Sequence, residues 1–536
     1  MKHPAQLLFT LALSGFALAS EAQTPAPVAV DVAHLKPIAT VDARFQSYNI
    51  EMVEVTGGRF WAPYKQAAAG PTAGADKTPG AMPAGLPAGM TASLFRYRTP
   101  INLANPQLRK LAAALSPAYV RVSGTWANTT YFQDTDATEP GKAPAGFGGV
   151  LTRNEWKGVL EFSRAVDAPL VTSASIGAGV RDAAGVWTPS ELNKVLAYTK
   201  SVGSSIAGLE FFNEPTLATM GGAPKGYDAA AYGRDFKLFR EQVRKATPKT
   251  LLLGPDAVGD VPSATQESST FKTLRSEDLL SASGPGLDVF AYHYYGGVSR
   301  RCGGDKGAHG VTEANAIEHG LSAAWLKGTE TDTVFYGKLR DRFEPGKPLW
   351  LTETGEVACG GNPWASSFLD SFRYLNQLGL TARHGVQVVM HNTLAASDYG
   401  LLDESTLTPR PNYWAALLWR RLMGTTVLDA PAAGDNLYLY AQCAPAKKGG
   451  VTLLAINADT KNARSISLGS AAIRSTLTAP DLLGGVVELN GKPLQLTAAG
   501  DLPSLEGVAA NAGPVTLPPA SISFLTMATA NNSVCR

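Results

Sequence analysis

The chain has 536 residues, of which 45% are apolar and 17% charged, and a net charge of +2. This length exceeds one hydrophobic core and suits a large domain with a companion, and the composition excludes disordered and fibrous classes. So balanced a charge gives no global basic field to draw nucleic acid, an anionic membrane or a polyanion; the nearest basic cluster is Arg300-Arg301, followed by Lys306.

Lys2 and His3 precede an apolar run from Leu7 to Ala19, and Ser20-Glu21-Ala22 offers small residues for cleavage. Residues 1–22 therefore read as a signal peptide, and the protein as secreted or periplasmic. The run is too short to span a bilayer and no later segment has the length, so no membrane association is expected after cleavage. Residues 23–44 are a Pro- and Ala-rich lead-in that could add a strand to the C-terminal domain.

Residues 45–427 alternate short apolar runs with amphipathic stretches. Strands are expected at 118–122, 169–173, 208–212, 250–254, 287–291, 349–352 and 386–390. Helices are expected at 106–115, 188–202, 227–246 and 364–378. Strands alternating with helices over this length predict an α/β fold, a closed (β/α)8 TIM barrel. No GxGxxG or P-loop opens any unit, which disfavours a doubly wound nucleotide-binding sheet. Residues 66–90 and 134–149 lack periodicity and read as inserted loops. From residue 428 to 536 strand-like runs at 437–440, 451–456, 465–468, 487–490 and 521–526 follow one another without a helix, which predicts an antiparallel β-sandwich.

Four cysteines, Cys302, Cys359, Cys443 and Cys535, allow three pairings. Their positions favour Cys302–Cys359 in the barrel and Cys443–Cys535 in the sandwich. No CxxC or HExxH pattern supports a metal site, and no cofactor is expected.

Two carboxylates close predicted barrel strands: Glu214, in Asn213-Glu214-Pro215, and Glu353, in Leu349-Trp-Leu-Thr-Glu353. Active sites of such barrels lie at the C-terminal strand ends. Glycoside cleavage needs two carboxyl groups, one to protonate the leaving oxygen and one to attack the anomeric carbon. Glu210 shares a face with Glu214 by period two but lies deeper, and reads as a buried, paired residue. Glu356, beyond the strand end, reads as solvated or as a rim contact.

The sequence around these residues is more specific. Leu115–Thr125, Ala291-Tyr-His-Tyr-Tyr295, Asp398–Asp403 and Pro411–Gly424 resemble the heparanase/β-glucuronidase family, glycoside hydrolase family 79, in a bacterial-type or plant-like single-chain form. The similarity runs from about Leu94 to the C-terminus. The resemblance implies a retaining glycosidase with Glu214 as general acid/base and Glu353 as nucleophile. It places Asn213 on the sugar 2-hydroxyl, and Arg121 and Tyr294 on the nucleophile. Main-chain N–H groups of Cys359 and Gly360 and the Tyr399 hydroxyl would hold the uronate carboxylate. Asn392 replaces a customary Gln, and Tyr292 stands where animal members carry His; His293 reads as a packed ring.

The substrate expected on these grounds is a glycan containing β-linked glucuronic acid. The missing basic clusters, and a 66–90 loop able to wall off a cleft, point to exo-β-glucuronidase action. Endo action on a heparan-type polymer is the alternative, and a non-catalytic carbohydrate-binding or adhesion protein is the rival of another class.

Overall fold

The computed structural model describes residues 27–64, 94–261, 274–302 and 310–536. The expected signal peptide and the 66–90 loop lie outside the described residues. Eight parallel strands close into a barrel: β1 (Gln46–Glu51), β2 (Val120–Ser123), β3 (Leu170–Ser173), β4 (Gly208–Glu210), β5 (Leu251–Ala257), β6 (Val289–Tyr295), β7 (Leu349–Gly355) and β8 (Val386–His391). Each strand is followed by a helix, as the TIM barrel reading requires.

Local chemistry sets where those helices begin. Asn105 accepts from the N–H groups of Gln107 and Leu108, with Pro106 opening helix Pro106–Ala113. Thr152 and Glu155 form a reciprocal capping box at helix Arg153–Ala165. The expected helix at 364–378 instead runs Phe368–Arg383. Its nominal first turn is occupied by loop residues bound to Glu356, described below.

Helix Phe368–Arg383 is buried on nearly every side because it lies between the barrel and the sandwich. Gly379 is required there: a Cβ would lie 2.4 Å from the Tyr440 ring. The Tyr440 hydroxyl donates to Asn376 Oδ1 at 2.7 Å, joining the two layers.

The sandwich has a larger sheet ordered Pro37–Thr40, Thr426–Leu428, Leu437–Cys443, Val451–Asn457, Ser521–Met527, Ala472–Thr478, Glu488–Leu489 and Lys492–Pro493, with Val508–Ala510 on the side. A smaller sheet holds Val28–Val30, Arg464–Leu468 and Gly513–Leu517. Residues preceding the barrel thus supply a strand to each sheet. One pairing departs from the antiparallel expectation, since Val28–Val30 runs parallel to Arg464–Leu468.

Both expected disulfides are present, Cys302–Cys359 and Cys443–Cys535. The second spans 92 residues of sequence and ties the chain end to strand Leu437–Cys443. A closed loop of that length restricts the unfolded chain strongly, so the paired substitution Cys443→Ala/Cys535→Ala is expected to cost about 2–5 kcal/mol of stability. The measurement is the denaturation midpoint of the oxidised protein and of the double variant, and equal midpoints would refute the assignment.

Candidate active site

At the C-terminal mouth of the barrel the buried guanidinium of Arg121, on β2, meets three acceptors. Nε donates to Glu210 Oε1 at 2.7 Å, one terminal nitrogen to Glu353 Oε2 at 2.8 Å, and the other to Asn213 Oδ1 at 2.8 Å. Burial works against its charge, but Glu210 and Glu353 outweigh burial and hold its pKa above the ordinary range. Glu210 is fully buried and paired, as its depth on β4 predicts.

β4 ends at Glu210, earlier than expected, so Glu214 owes its position to the following turn rather than to strand period. It adopts a left-handed backbone (φ 51°) ahead of a short turn at Pro215–Leu217. Asn128 holds that turn from both sides: its Oδ1 accepts from Asn213 N at 2.9 Å and its Nδ2 donates to Asn213 O at 3.0 Å. Burial pushes the Glu214 carboxyl up to about 7, with the charge of Arg121 opposing.

Glu353 reaches the interior through a bulge. Pairing of β7 with β6 passes from Leu351–Tyr292 to Glu353–His293, leaving Thr352 as the extra residue. Thr352 and Glu353 consequently both face inward: the Thr352 hydroxyl donates to Asp256 Oδ1 at 3.1 Å, and Glu353 meets Arg121. Thr354 turns outward to Gln377.

One oxygen each of Glu214 and Glu353 and a ring nitrogen of His293 all lie within 4.8 Å of one another. His293 Nδ1 is 3.2 Å from Glu214 Oε1 and 3.9 Å from Glu353 Oε2. Burial lowers the His293 pKa to about 4, so at neutral pH the imidazole is uncharged.

Expectations on β6 need correction. Tyr295, not Tyr294, donates its hydroxyl to Glu353 Oε1, at 2.8 Å. Val289, Ala291, His293 and Tyr295 point into the barrel, whereas Tyr292 and Tyr294 point out toward helix Ala323–Phe343. There the Tyr292 hydroxyl shares a hydrogen bond with Thr333 Oγ1 at 2.9 Å, and a Cβ on Gly328 would come 2.6 Å from the Tyr294 hydroxyl. Neither tyrosine belongs to the site. Every residue of β6 is buried, so the sequence offered no polar–apolar alternation from which to read its phase.

Asn392 lies in the site, its Nδ2 donating to Glu51 Oε1 at 3.0 Å, to the Tyr295 hydroxyl at 3.0 Å and to the Tyr399 hydroxyl at 3.3 Å. Glu51, at the end of β1, escaped the sequence reading. Burial, and then the charge of Glu353, raise its pKa well above the ordinary carboxylate value. Cys359 and Gly360 form a left-handed turn after β7 (φ 64° and 84°). The Gly360 carbonyl accepts from Ser397 Oγ at 3.0 Å and Asp398 N at 3.1 Å, which fixes the turn beside Tyr399.

Glu356 is buried rather than solvated. It accepts from Asn362 N at 2.8 Å and Trp364 Nε1 at 3.0 Å and thereby anchors the same loop. No other cluster of three metal-ligating side chains occurs among the described residues than Glu214, His293 and Glu353, and the Arg121 guanidinium beside Glu353 does not favour a cation there.

The family pattern "Glycosyl hydrolase family 79, N-terminal domain" matches residues 91–379, more than half of the chain. The chain belongs to glycosyl hydrolase family 79. It is a glycoside hydrolase. Heparanase-like protein 1 of Arabidopsis thaliana is 28% identical over 82% of this chain and 87% of that protein. Baicalin-beta-D-glucuronidase of Scutellaria baicalensis is 33% identical over 42% of each chain. The barrel-plus-sandwich fold extends further, to the GH51 arabinofuranosidase of Xanthomonas axonopodis pv. citri, with a TM-score of 0.59 over 92% of this chain and 98% of that one at 17% identity.

Exchanging the two neighbouring tyrosines tests the corrected phase of β6. Removing one hydrogen bond to a charged group costs about 1.5–3 kcal/mol, so Tyr295→Phe is expected to lower kcat on a chromogenic glycoside about 10–100-fold. Tyr294→Phe should leave kcat within about a factor of two, since its hydroxyl lies outside the barrel.

Proposed function

We propose that this enzyme is a retaining exo-β-glucuronidase that removes β-linked glucuronic acid from the end of a glycan. The observation that carries the reaction type is the approach of Glu214 and Glu353 across the barrel mouth, with carboxyl oxygens within 4.8 Å. Double displacement uses carboxyl groups about 5–5.5 Å apart, and direct attack by water needs a wider gap of about 6.5–9.5 Å. Glu353, oriented by Arg121 and Tyr295, attacks the anomeric carbon while Glu214 protonates the departing oxygen. Glu214 then takes the proton of the water that releases the sugar. Its pKa of about 7 matches both duties near neutrality.

The Cys359–Gly360 turn and the Tyr399 hydroxyl would receive the uronate carboxylate. Backbone N–H groups and a phenol bind an anion without placing a competing cation near the acid/base. Asn213, held by Arg121 and Asn128, would meet the 2-hydroxyl. The printed name of the Scutellaria relative agrees with a glucuronide substrate. Exo action is supported by the segment after β1, where Tyr64 is fastened to the loops after β6 and β8. The endo reading stands second, because the heparanase-like relative covers twice as much of the chain as the glucuronidase does.

In this reading the barrel of residues 45–427 is the catalytic unit, supported by residues 23–44 and 428–536. Residues 1–22 direct export to an oxidising compartment, where two disulfides persist. The single chain works without excision, in the manner of a bacterial-type or plant-like member.

Purified enzyme is expected to release p-nitrophenol from p-nitrophenyl β-D-glucuronide, with β-glucuronate as the first product by NMR. Glu353→Gln and Glu214→Gln should each lower kcat by about 10²-fold or more. Inactivity on this glycoside, combined with internal cleavage of a glucuronate-containing polymer, would replace the exo reading with the endo one. On an alkyl β-glucuronide, whose poor leaving group needs a proton, kcat/KM should fall as pH rises above about 7, because Glu214 must be protonated to act as the acid. A flat profile through that range would remove Glu214 from the role.

A further inference from the structure

Beside the catalytic groups, loops from four barrel strands meet on one side chain. Arg301, in the loop after β6, has a side chain only 6% exposed. Its guanidinium donates to Asp398 Oδ2 at 2.7 Å, after β8, to the Gly361 carbonyl at 3.4 Å, after β7, and to the Ala62 carbonyl, after β1. It also lies 4.0 Å from the centre of the Tyr64 ring. Tyr64 doubles the fastening: its N–H donates to Asp398 Oδ2 at 3.1 Å, and its hydroxyl bonds Ser299 Oγ at 2.9 Å and accepts from Arg301 N at 3.0 Å. The Cys302–Cys359 disulfide joins the β6 loop to the same β7 turn.

None of these bonds is needed to close the barrel, whose strands pair around the full circle. Their placement matters for the substrate instead. Glu214 follows β4 and must face the leaving group, so the far end of the bound sugar points away from β4, toward β8 and β1. The Arg301 contacts lie on that side, immediately outside the Cys359–Gly361 turn. Arg301 is paired with Asp398 and surrounded by carbonyls, so its charge is compensated and its rigid fork sets geometry.

We propose that Arg301 is the specificity-determining positioning residue of the site, holding the Ala62–Tyr64 segment and the Cys359–Gly361 turn against Asp398 so that the cleft is shut beyond the far end of the sugar and only a chain terminus is admitted. This rests on the glucuronidase reading above and extends it. Arg301 touches no reacting atom and acts through the turn it holds. Lysine keeps the charge for Asp398, but a single nitrogen on a flexible stem cannot reproduce the fork that reaches Ala62, Gly361 and Asp398 together.

The test compares full-length mature wild type, Arg301→Ala, Arg301→Lys and Tyr64→Phe, all with disulfides intact. One readout is KM and kcat on p-nitrophenyl β-D-glucuronide. The other is the size distribution of products from an unsulfated β-glucuronate-containing polysaccharide whose non-reducing ends are chemically blocked. Wild type should hydrolyse the aryl glucuronide and leave the blocked polymer intact. Arg301→Ala should raise KM about 5–10-fold, with kcat within about threefold, and should begin to cut blocked chains internally; Arg301→Lys should fall between. Should Arg301→Ala fail to fold, Tyr64→Phe decides, since it keeps the ring beneath the guanidinium but loses two hydrogen bonds, and the same KM rise is expected. Unchanged KM and inertness on blocked chains in the folded variants would overturn the proposal, as would a loss of kcat at constant KM or wild-type cleavage of blocked chains. A wild type inactive on the aryl glucuronide marks failure of the underlying reading instead.

Discussion

The site is organised around one buried guanidinium. Arg121 has donors only, and its planar fork addresses Glu210, Glu353 and Asn213 in three directions at once. Each partner comes from a different part of the barrel, so a single cation on β2 sets the positions of groups from β4, the turn after it, and β7. A charge so deeply placed is tolerable only because its acceptors are arranged around it, and removing either side would strand the other in an apolar interior. The orientations of Glu353, of the Asn213 amide and of the barrel centre are therefore parts of one electrostatic arrangement.

Around that centre the carboxyl groups occupy unequal environments. Glu214 is raised to about 7 by burial, while Glu353 sits between the Arg121 guanidinium and the Tyr295 hydroxyl. Separating two nearby carboxyls by environment is how one pocket assigns acid and nucleophile duties. Neutral His293 lies between them, and buried Glu51 stands behind Asn392. Local backbone departures produce these positions: a bulge turns Glu353 inward, and a left-handed turn presents Glu214.

The loops are fastened by different means from the barrel. Glu356 anchors the 362–364 segment by accepting from three N–H donors, and Ser397 and Asp398 fix the Gly360 carbonyl. Arg301, Tyr64 and the Cys302–Cys359 bond join four loops at the rim. The sandwich meanwhile buries helix Phe368–Arg383, which packs against β8 and reaches Thr354 of β7 through Gln377. The barrel interior thus sets the geometry of the carboxyl groups, side-chain and disulfide links tie the rim loops together, and helix Phe368–Arg383 joins the barrel to the second domain.

What the sequence determined by itself was the alternation of apolar runs and amphipathic stretches, with it the barrel and the sandwich, and Glu214 and Glu353 as the carboxylates that follow apolar runs. Those features are local, written in period and in the residues that end a run. The cysteine positions likewise favoured the observed pairing. Only the tertiary structure decided the phase of β6, where continuous burial erases the alternation that distinguishes Tyr294 from Tyr295. It alone brought Glu51, Asn128 and His293 to the site and buried Glu356, because their partners lie far away in the chain or in a folded loop. The bulge at Thr352 belongs to the same class: one extra residue in a pairing register depends on the neighbouring strand, and no property of Leu349–Gly355 read alone reveals it.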